Sequence, residues 1–349
     1  MEVEKGTVCV TGGTGYVASW LVMKLLQRGY TVRATIRSDP EENKKDISYI
    51  TNLPGAADRL KIFSADLNQP ECFKAAIEGC IGVFHVAHPM DPYGKEPEES
   101  VTKIAVEGLL GILRACLKSK TVKRVVYTSS AVSIMYNDKG LNVTDENTWS
   151  DLDICRKNKS VSTSYLVSKT VTEKMALDFA AKHGLDLVTI VLPLVVGPFI
   201  CPYIPSSVYL ALAVVFGNQE KYKDFNNFYM VHTDDAASAH IFLLEDPNAK
   251  GRYICSYLQM TTRSLVQFLS AKFQEFQIPA MNNVKENEDS RLSNLSSMKL
   301  LDLGFKFGFG LEDMFGGAIQ CCRDKGFLDQ IVSEKAEVSP EKEWADKSH

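Results

Sequence analysis

Two short stretches of this 349-residue chain have the residue types and spacing of a proton-transfer site. In "SYLVSK" (164–169), Tyr165 and Lys169 stand four residues apart, which puts both on one face of a helix. A free phenol has a pKa of about 10, too high for efficient proton exchange at neutral pH. A neighbouring ammonium favours the phenolate and lowers that value. Tyr165 can then give a proton to a carbonyl, or take one back in the reverse direction. A further group must polarise that carbonyl. "YTSSAV" (127–132) offers one at a strand end, with Ser130 the expected donor and Ser129 the alternative. A tyrosine and lysine at this spacing are ordinary surface residues when alone. They gain meaning from the glycine loop that precedes them.

That loop is "TGGTGYVASW" (11–20), between a strand and a helix. Gly12 permits a tight turn, Gly15 lets the backbone approach a pyrophosphate, and Ala18 sets the helix-to-strand packing one methyl wider than a third glycine. The phosphates then meet free N–H groups and the dipole at the helix N-terminus. The second strand ends in "TIRSDP", where a carboxylate would select NAD and an arginine accommodates a 2′-phosphate. Arg37 holds that place, with Arg33 before it and Lys44 and Lys45 after it, and NADP(H) is the expected cofactor. Asp39 stands nearby and argues the other way.

Positioning these groups calls for parallel strands whose ends converge. Residues 7–12, 31–37, 60–66, 82–87, 123–130 and 185–193 read as strands, and 16–29, 71–79, 98–119 and 164–184 as helices. Near-continuous apolar strands alternating with helices predict an α/β fold, a doubly wound parallel Rossmann sheet. After Pro193 the pattern is mixed, and 197–207 holds three prolines. The predicted division is a cofactor-binding domain over 1–192, with the sheet revisited near 228–246, and a smaller, mainly substrate-binding domain over 193–330. The polar tail over 333–349 reads as disordered.

Composition narrows the function classes. A net charge of −4 with only short basic stretches gives no nucleic-acid footprint. No apolar run reaches membrane-spanning length, and the acidic start "MEVEKGTVCV" has no signal character. Nine cysteines without a CxxC pair read as buried thiols in a reducing compartment rather than metal ligands or disulfides. In "VHTDDAASAH", His232 and His240 do not share a helical face, so this segment reads as structural and no metal is expected.

The glycine spacing resembles that of the extended short-chain dehydrogenase/reductase family. "VCVTGGTGYVASWLVMKLL", "GVFHVAHPMD", "KTVKRVVYTSSA", "YLVSKT", "LVVGPFI" and "FYMVHTDDAASAH" resemble its plant dihydroflavonol reductase-like group, over roughly residues 5–330. The resemblance implies a catalytic Ser130, Tyr165 and Lys169, with Lys169 also holding the nicotinamide ribose. It implies an NADP(H) site on Gly12, Gly15, Tyr16, Val17, Arg37, Lys44, Asp66, Leu67, Val86, Ala87, His88, Tyr165, Lys169, Pro193, Val196 and Ser207. It further implies a cytoplasmic monomer or homodimer acting on a small plant secondary metabolite: a flavonoid, an isoflavonoid or an alkaloid. Met135 stands where dihydroflavonol reductases place Asn or Asp, and "STSYLVSK" departs from the cinnamoyl-CoA reductase pattern. "ASW" and "TNLPGAADRL" resemble the noscapine synthase and vestitone reductase branches instead.

Some readings stay open. A catalytically silent NADPH-binding regulator is the alternative to an enzyme, and an intact triad argues against it. The same triad serves oxidation of an alcohol or hemiacetal. His88 stands where the group mostly carries Thr or Ser, so it either serves the substrate or a proton relay, or fills space against the cofactor. Met90, Met135, Tyr136, Phe199, Tyr203 and Tyr209 are candidates to line the substrate pocket.

Overall fold

The computed structural model of the chain describes residues 5–37, 46–89, 96–140, 143–157, 163–222, 225–278 and 294–328. Lys44, Lys45, Asp39, Met90 and the 333–349 tail lie outside the described residues.

Twelve strands are assigned among the described residues: β1 (Thr7–Thr11), β2 (Thr31–Ile36), β3 (Leu60–Ser64), β4 (Gly82–His85), β5 (Arg124–Ser130), β6 (Val143–Thr144), β7 (Leu187–Leu192), β8 (Leu194–Val196), β9 (Asn227–His232), β10 (Gly251–Ile254), β11 (Leu258–Thr261) and β12 (Asn294–Leu295). Seven form one sheet in the order β10-β7-β5-β4-β1-β2-β3, and every neighbouring pair in it is parallel. The chain runs from β1 outward through β2 and β3, then crosses back to β4. The ends of β1 and β4, Thr11 beside His85, therefore flank the point where strand order reverses. In such sheets that is where ligands bind.

Successive residues of β1 feed opposite cores, as a strand's period of two requires. Val8 and Val10 pack with the helix α1 (Tyr16–Gln27), while Cys9 packs on the other face. The residues Ala18, Leu21, Val22, Leu25 and Leu26 give α1 its buried stripe, and Gly29 ends it at φ +84°. Three short helices follow: α2 (Ser48–Thr51), α3 (Ala56–Arg59) and α4 (Lys74–Ile77). The expected helix over 71–79 is thus reduced to a 3₁₀ turn, Pro70–Phe73, followed by α4. Gly79, at φ +80°, follows α4 at once and turns the chain toward β4. The long helix α5 (Glu98–Ser119) starts on two glutamates that complement its dipole. Next come α6 (Val132–Met135), α7 (Leu152–Lys157) and α8 (Thr163–His183), which packs against α5.

The remaining helices are α9 (Ser206–Ala211), α10 (Thr233–Glu245), α11 (Thr262–Lys272), α12 (Met298–Asp302) and α13 (Leu311–Asp324). A second sheet has the order β11-β9-β8, and β12 pairs with β6. The chain does return to the large sheet, but not at 228–246. That segment supplies β9 of the small sheet and α10, which packs on α1. The returning strand is β10. The apolar run of β9 is buried as a central strand would be, so its pattern does not say which sheet it joins.

Candidate active site

The glycine turn is fastened to β2. Gly12 N–H donates to Thr35 Oγ1 at 3.3 Å and Gly13 N–H to the Thr35 carbonyl at 2.8 Å. Gly12 takes φ +69°, and a Cβ there would lie 3.1 Å from the Cα of Ala87. Gly13, which the spacing argument passed over, is as constrained, since its Cβ would sit 2.9 Å from that of Ala34. Gly15 is different. A Cβ on it would meet only the Gly12 carbonyl, at 3.3 Å, so that side of the turn is open to an approaching group. Gly15 also begins α1, whose first turn carries no acidic residue and no side-chain cap. Its N–H groups are left for an anion, and the loop fits a dinucleotide pyrophosphate. Ala18 is buried in the core below.

Three phenols hold this loop from outside. Tyr49 and Tyr203 both donate to the Thr14 carbonyl at 3.0 Å, and Tyr16 donates to the Gly197 carbonyl at 3.1 Å. Tyr16 and Val17, both half-buried, thus offer the site their backbone at the helix start. Arg37 is exposed just past β2. Arg33 is not beside it functionally: its guanidinium donates to the carbonyls of Ala75 and Glu78 at the end of α4. Asp66 follows β3, where one carboxylate oxygen accepts from Asn68 N–H at 2.8 Å, while Leu67 packs beside Gly108 of α5.

Thr11 organises the end of β4, a role no motif announces. Its hydroxyl accepts from the N–H groups of Val86 and Ala87 at 3.1 and 3.0 Å and pairs with His85 Nδ1 at 2.9 Å. With both amides already accepted, the hydroxyl proton goes to His85, whose Nδ1 must be bare. Burial, helped by the Lys169 charge, pushes His85 down to about 3 and keeps it so. On the far side of the crevice β7 ends at Pro193, which has no N–H to continue a ladder, and β8 leaves for the small sheet. Val196 is buried there, and Ser207 Oγ donates to the Val195 carbonyl at 2.7 Å.

The expected triad meets across β5 and α8. Tyr165 and Ser130 pair through their side chains, both half-buried. Lys169 is buried, and its Nζ donates to the Thr128 carbonyl at 3.0 Å. Burial lowers Lys169 to about 8 against the opposing Glu173 carboxylate. The Tyr165–Lys169 spacing predicts a lowered Tyr165 pKa. The structure reverses this: burial raises it, and the Ser130 hydrogen bond only partly offsets the rise. The phenol is therefore protonated at neutral pH, the form a proton donor to a carbonyl needs.

The two serines have different partners. Ser129 Oγ donates to the Glu173 carboxylate at 2.6 Å in the interior, whereas Ser130 points to Tyr165. His88 lies edge-on to the Tyr165 ring at 5.7 Å, and its Nε2 pairs with Ser168 Oγ at 3.1 Å. Burial, with the Lys169 charge beside it, pushes His88 well below 6.5. It is a neutral imidazole, not the near-neutral titrating group that its type suggests. His240 Nδ1 donates to the Ala236 carbonyl at 2.7 Å, so its Nε2 accepts from Thr128 Oγ1 at 2.8 Å. His232 Nδ1 accepts from Asp234 N–H at the start of α10.

Of the pocket candidates, Met135 and Tyr136 follow the Ser130 corner. Phe199 is buried against Tyr16 and Phe327. Tyr209 stacks on Phe216.

A parallel sheet with its crossover beside a glycine loop, and a Ser–Tyr–Lys cluster at the strand ends, matches one family model. The "NAD dependent epimerase/dehydratase family" matches residues 8–255. The chain belongs to this family. It is similar to vestitone reductase from Medicago sativa, 50% identical over 328 residues, covering 94% of this chain and 100% of that protein. The crystal structure of that alfalfa enzyme superposes with a TM-score of 0.83 at 48% identity, covering 93% of this chain and 100% of the other. Protein BRI1-5 ENHANCED 1 from Arabidopsis thaliana is 56% identical over 330 residues, covering 93% of this chain and 90% of that protein. Dihydroflavonol 4-reductase from Callistephus chinensis is 47% identical over 333 residues, covering 95% and 91%. The chain is thus an oxidoreductase of the dihydroflavonol reductase-like group, as its motifs suggested.

Proposed function

We propose that the chain is an NADPH-dependent reductase of a carbonyl on a plant secondary metabolite of the flavonoid, isoflavonoid or alkaloid type. The observation that carries this reading is the protonated Tyr165 phenol paired with Ser130 beside a buried Lys169. The names of its relatives, vestitone reductase and dihydroflavonol 4-reductase, support the substrate class.

In this reading Gly12, Gly15, Tyr16 and Val17 hold the pyrophosphate through their backbone, and Arg37 pairs with the 2′-phosphate. Asp66 and Leu67 border the adenine. Val86, Ala87, His88, Pro193, Val196 and Ser207 border the nicotinamide half. That cofactor supplies the hydride when bound. Ser130 donates a hydrogen bond to the substrate carbonyl oxygen and Tyr165 delivers the proton to it. Lys169 supports the negative charge that develops on the phenol once the proton has left. Residues 1–192 mainly serve the cofactor and 193–330 the substrate. Among the described residues no helix is long and apolar enough to cross a membrane. We place the enzyme in the cytoplasm, as a monomer or homodimer.

The test is a panel of flavonoid, isoflavonoid and alkaloid carbonyls with NADPH, followed by loss of nicotinamide absorbance. Turnover of at least one class, faster with NADPH than NADH, is expected. Tight NADPH binding with no turnover across the panel would favour the catalytically silent reading.

A further inference from the structure

Glu173 enters the chemistry above only by favouring the Lys169 charge, yet it is fully buried two helical turns beyond Tyr165 and one beyond Lys169. Its Oε2 accepts from the hydroxyls of Ser129 and Ser133, each at 2.6 Å, and from Arg252 Nη2 at 3.2 Å. Its Oε1 accepts from Thr189 Oγ1 at 2.7 Å and Arg252 Nε at 2.9 Å. One carboxylate thereby joins α8 to β5, α6, β7 and β10.

The two serines flank Ser130 in sequence, one residue before it and three after. Both reach the same carboxylate oxygen, while Ser130 stays outside the cluster and faces Tyr165. Lys169 adds a pin on the same strand, at Thr128. We propose that Glu173 is a positioning residue for the reaction: it clamps the β5–α6 corner on both sides of Ser130 to the helix bearing Tyr165 and Lys169. The polarising hydroxyl and the proton donor are thereby held in one fixed relation. The proposal rests on Ser130 being the polarising group.

Stability alone is a weak reason for such a cluster, because apolar side chains of similar volume often stabilise a core equally well or better. Catalytic geometry is a stronger one. A misplacement of about 1 Å at a reacting group lowers rate about a hundredfold. Glu173 and Ser129 touch neither the glycine loop nor Arg37, so the clamp acts on the chemical step and leaves cofactor affinity alone.

The experiment is a double-mutant cycle. Ser129→Ala removes one pin and leaves the Glu173–Arg252 pair intact; Glu173→Gln weakens the whole clamp. Each variant is made in the wild-type and the Ser130→Ala backgrounds, and kcat, KM and NADPH affinity are measured. Each should lower kcat roughly tenfold to a hundredfold, with KM and NADPH affinity within about twofold. In the Ser130→Ala background Ser129→Ala should lower kcat no further, because the hydroxyl it positions is gone, and Glu173→Gln should keep only its effect through the Lys169 charge, seen as a shift of the alkaline limb of the pH profile. Where Glu173→Gln does not yield folded protein, Ser133→Ala takes its place. Unchanged kcat in the single variants, or full additivity with Ser130→Ala, overturns the proposal while leaving Ser130 catalytic. Wild-type turnover in Ser130→Ala alone overturns the triad reading, and the proposal with it.

Discussion

The Lys169 ammonium donates to the carbonyl of Thr128 at 3.0 Å, so the lysine is tied to the strand that carries Ser130. Burial disfavours its charge, the Glu173 carboxylate favours it, and the balance leaves Lys169 at about 8. A lysine lowered in this way is charged below that pH and neutral above it. The kcat/KM for carbonyl reduction, which reports the free enzyme, should therefore fall as pH rises through about 8. In Lys169→Arg, whose guanidinium stays charged, the fall should disappear whatever the overall rate. A limb that persists unchanged in that variant belongs to another group.

Tyr165→Phe keeps the ring that His88 packs against and removes only the oxygen. Turnover should drop by about 10²–10⁴-fold, the usual contribution of a general acid. NADPH affinity, measured by fluorescence titration, should stay within a few-fold. Turnover near wild type would take Tyr165 out of the mechanism.

The glycine turn and the pairing of Tyr165 with Lys169 were legible as placements because each depends on local spacing: Gly12 and Gly15 in one turn, Tyr165 and Lys169 on one helix face. What escaped were groups whose role depends on distant partners. Thr11 is an unremarked strand residue until Val86 and Ala87 come to its hydroxyl. Glu173 reads as one of many surface glutamates until Arg252, 79 residues on, meets it in the interior. Gly13 matters only because β2 brings Ala34 against it. The direction of the Tyr165 shift was missed for the same reason. Spacing shows the lysine nearby, but not the enclosure that raises the phenol against only the Ser130 hydrogen bond.

Arg37→Ala should separate the two nicotinamide cofactors. Losing a charged hydrogen-bonding partner costs about 1.5–3 kcal/mol, so NADPH affinity should weaken roughly tenfold to a hundredfold while NADH affinity holds. Isothermal titration with both cofactors reads this directly. Equal losses would place Arg37 away from the 2′-phosphate.

His88→Thr should leave the pH profile in place. Burial holds His88 far below its ordinary value, so it stays neutral between about pH 5.5 and 8.5 and contributes no limb there. The substitution should act through shape and the Ser168 hydrogen bond, as a change in KM or in preference among carbonyls. Loss of an acidic limb near pH 6.5 in the variant would show that the imidazole titrates during turnover.

Arg252 completes the interior cluster, and its removal should be felt in stability. Besides Glu173, its guanidinium donates to the carbonyls of Glu146 and Thr148 at 2.8 and 2.7 Å. It also lies 3.6 Å from the centre of the Trp149 ring. Arg252→Met keeps the length and apolar body of the side chain but strands a buried carboxylate and two carbonyls. Breaking a buried pair from one side typically costs about 3–5 kcal/mol, since the remaining charge is left uncompensated. The urea midpoint should fall accordingly with little change in slope. Adding Glu173→Leu to that variant should recover part of the loss, because no bare carboxylate is then buried. A midpoint that falls further with both changes would mean that Glu173 is stabilised by its three hydroxyl donors without the arginine.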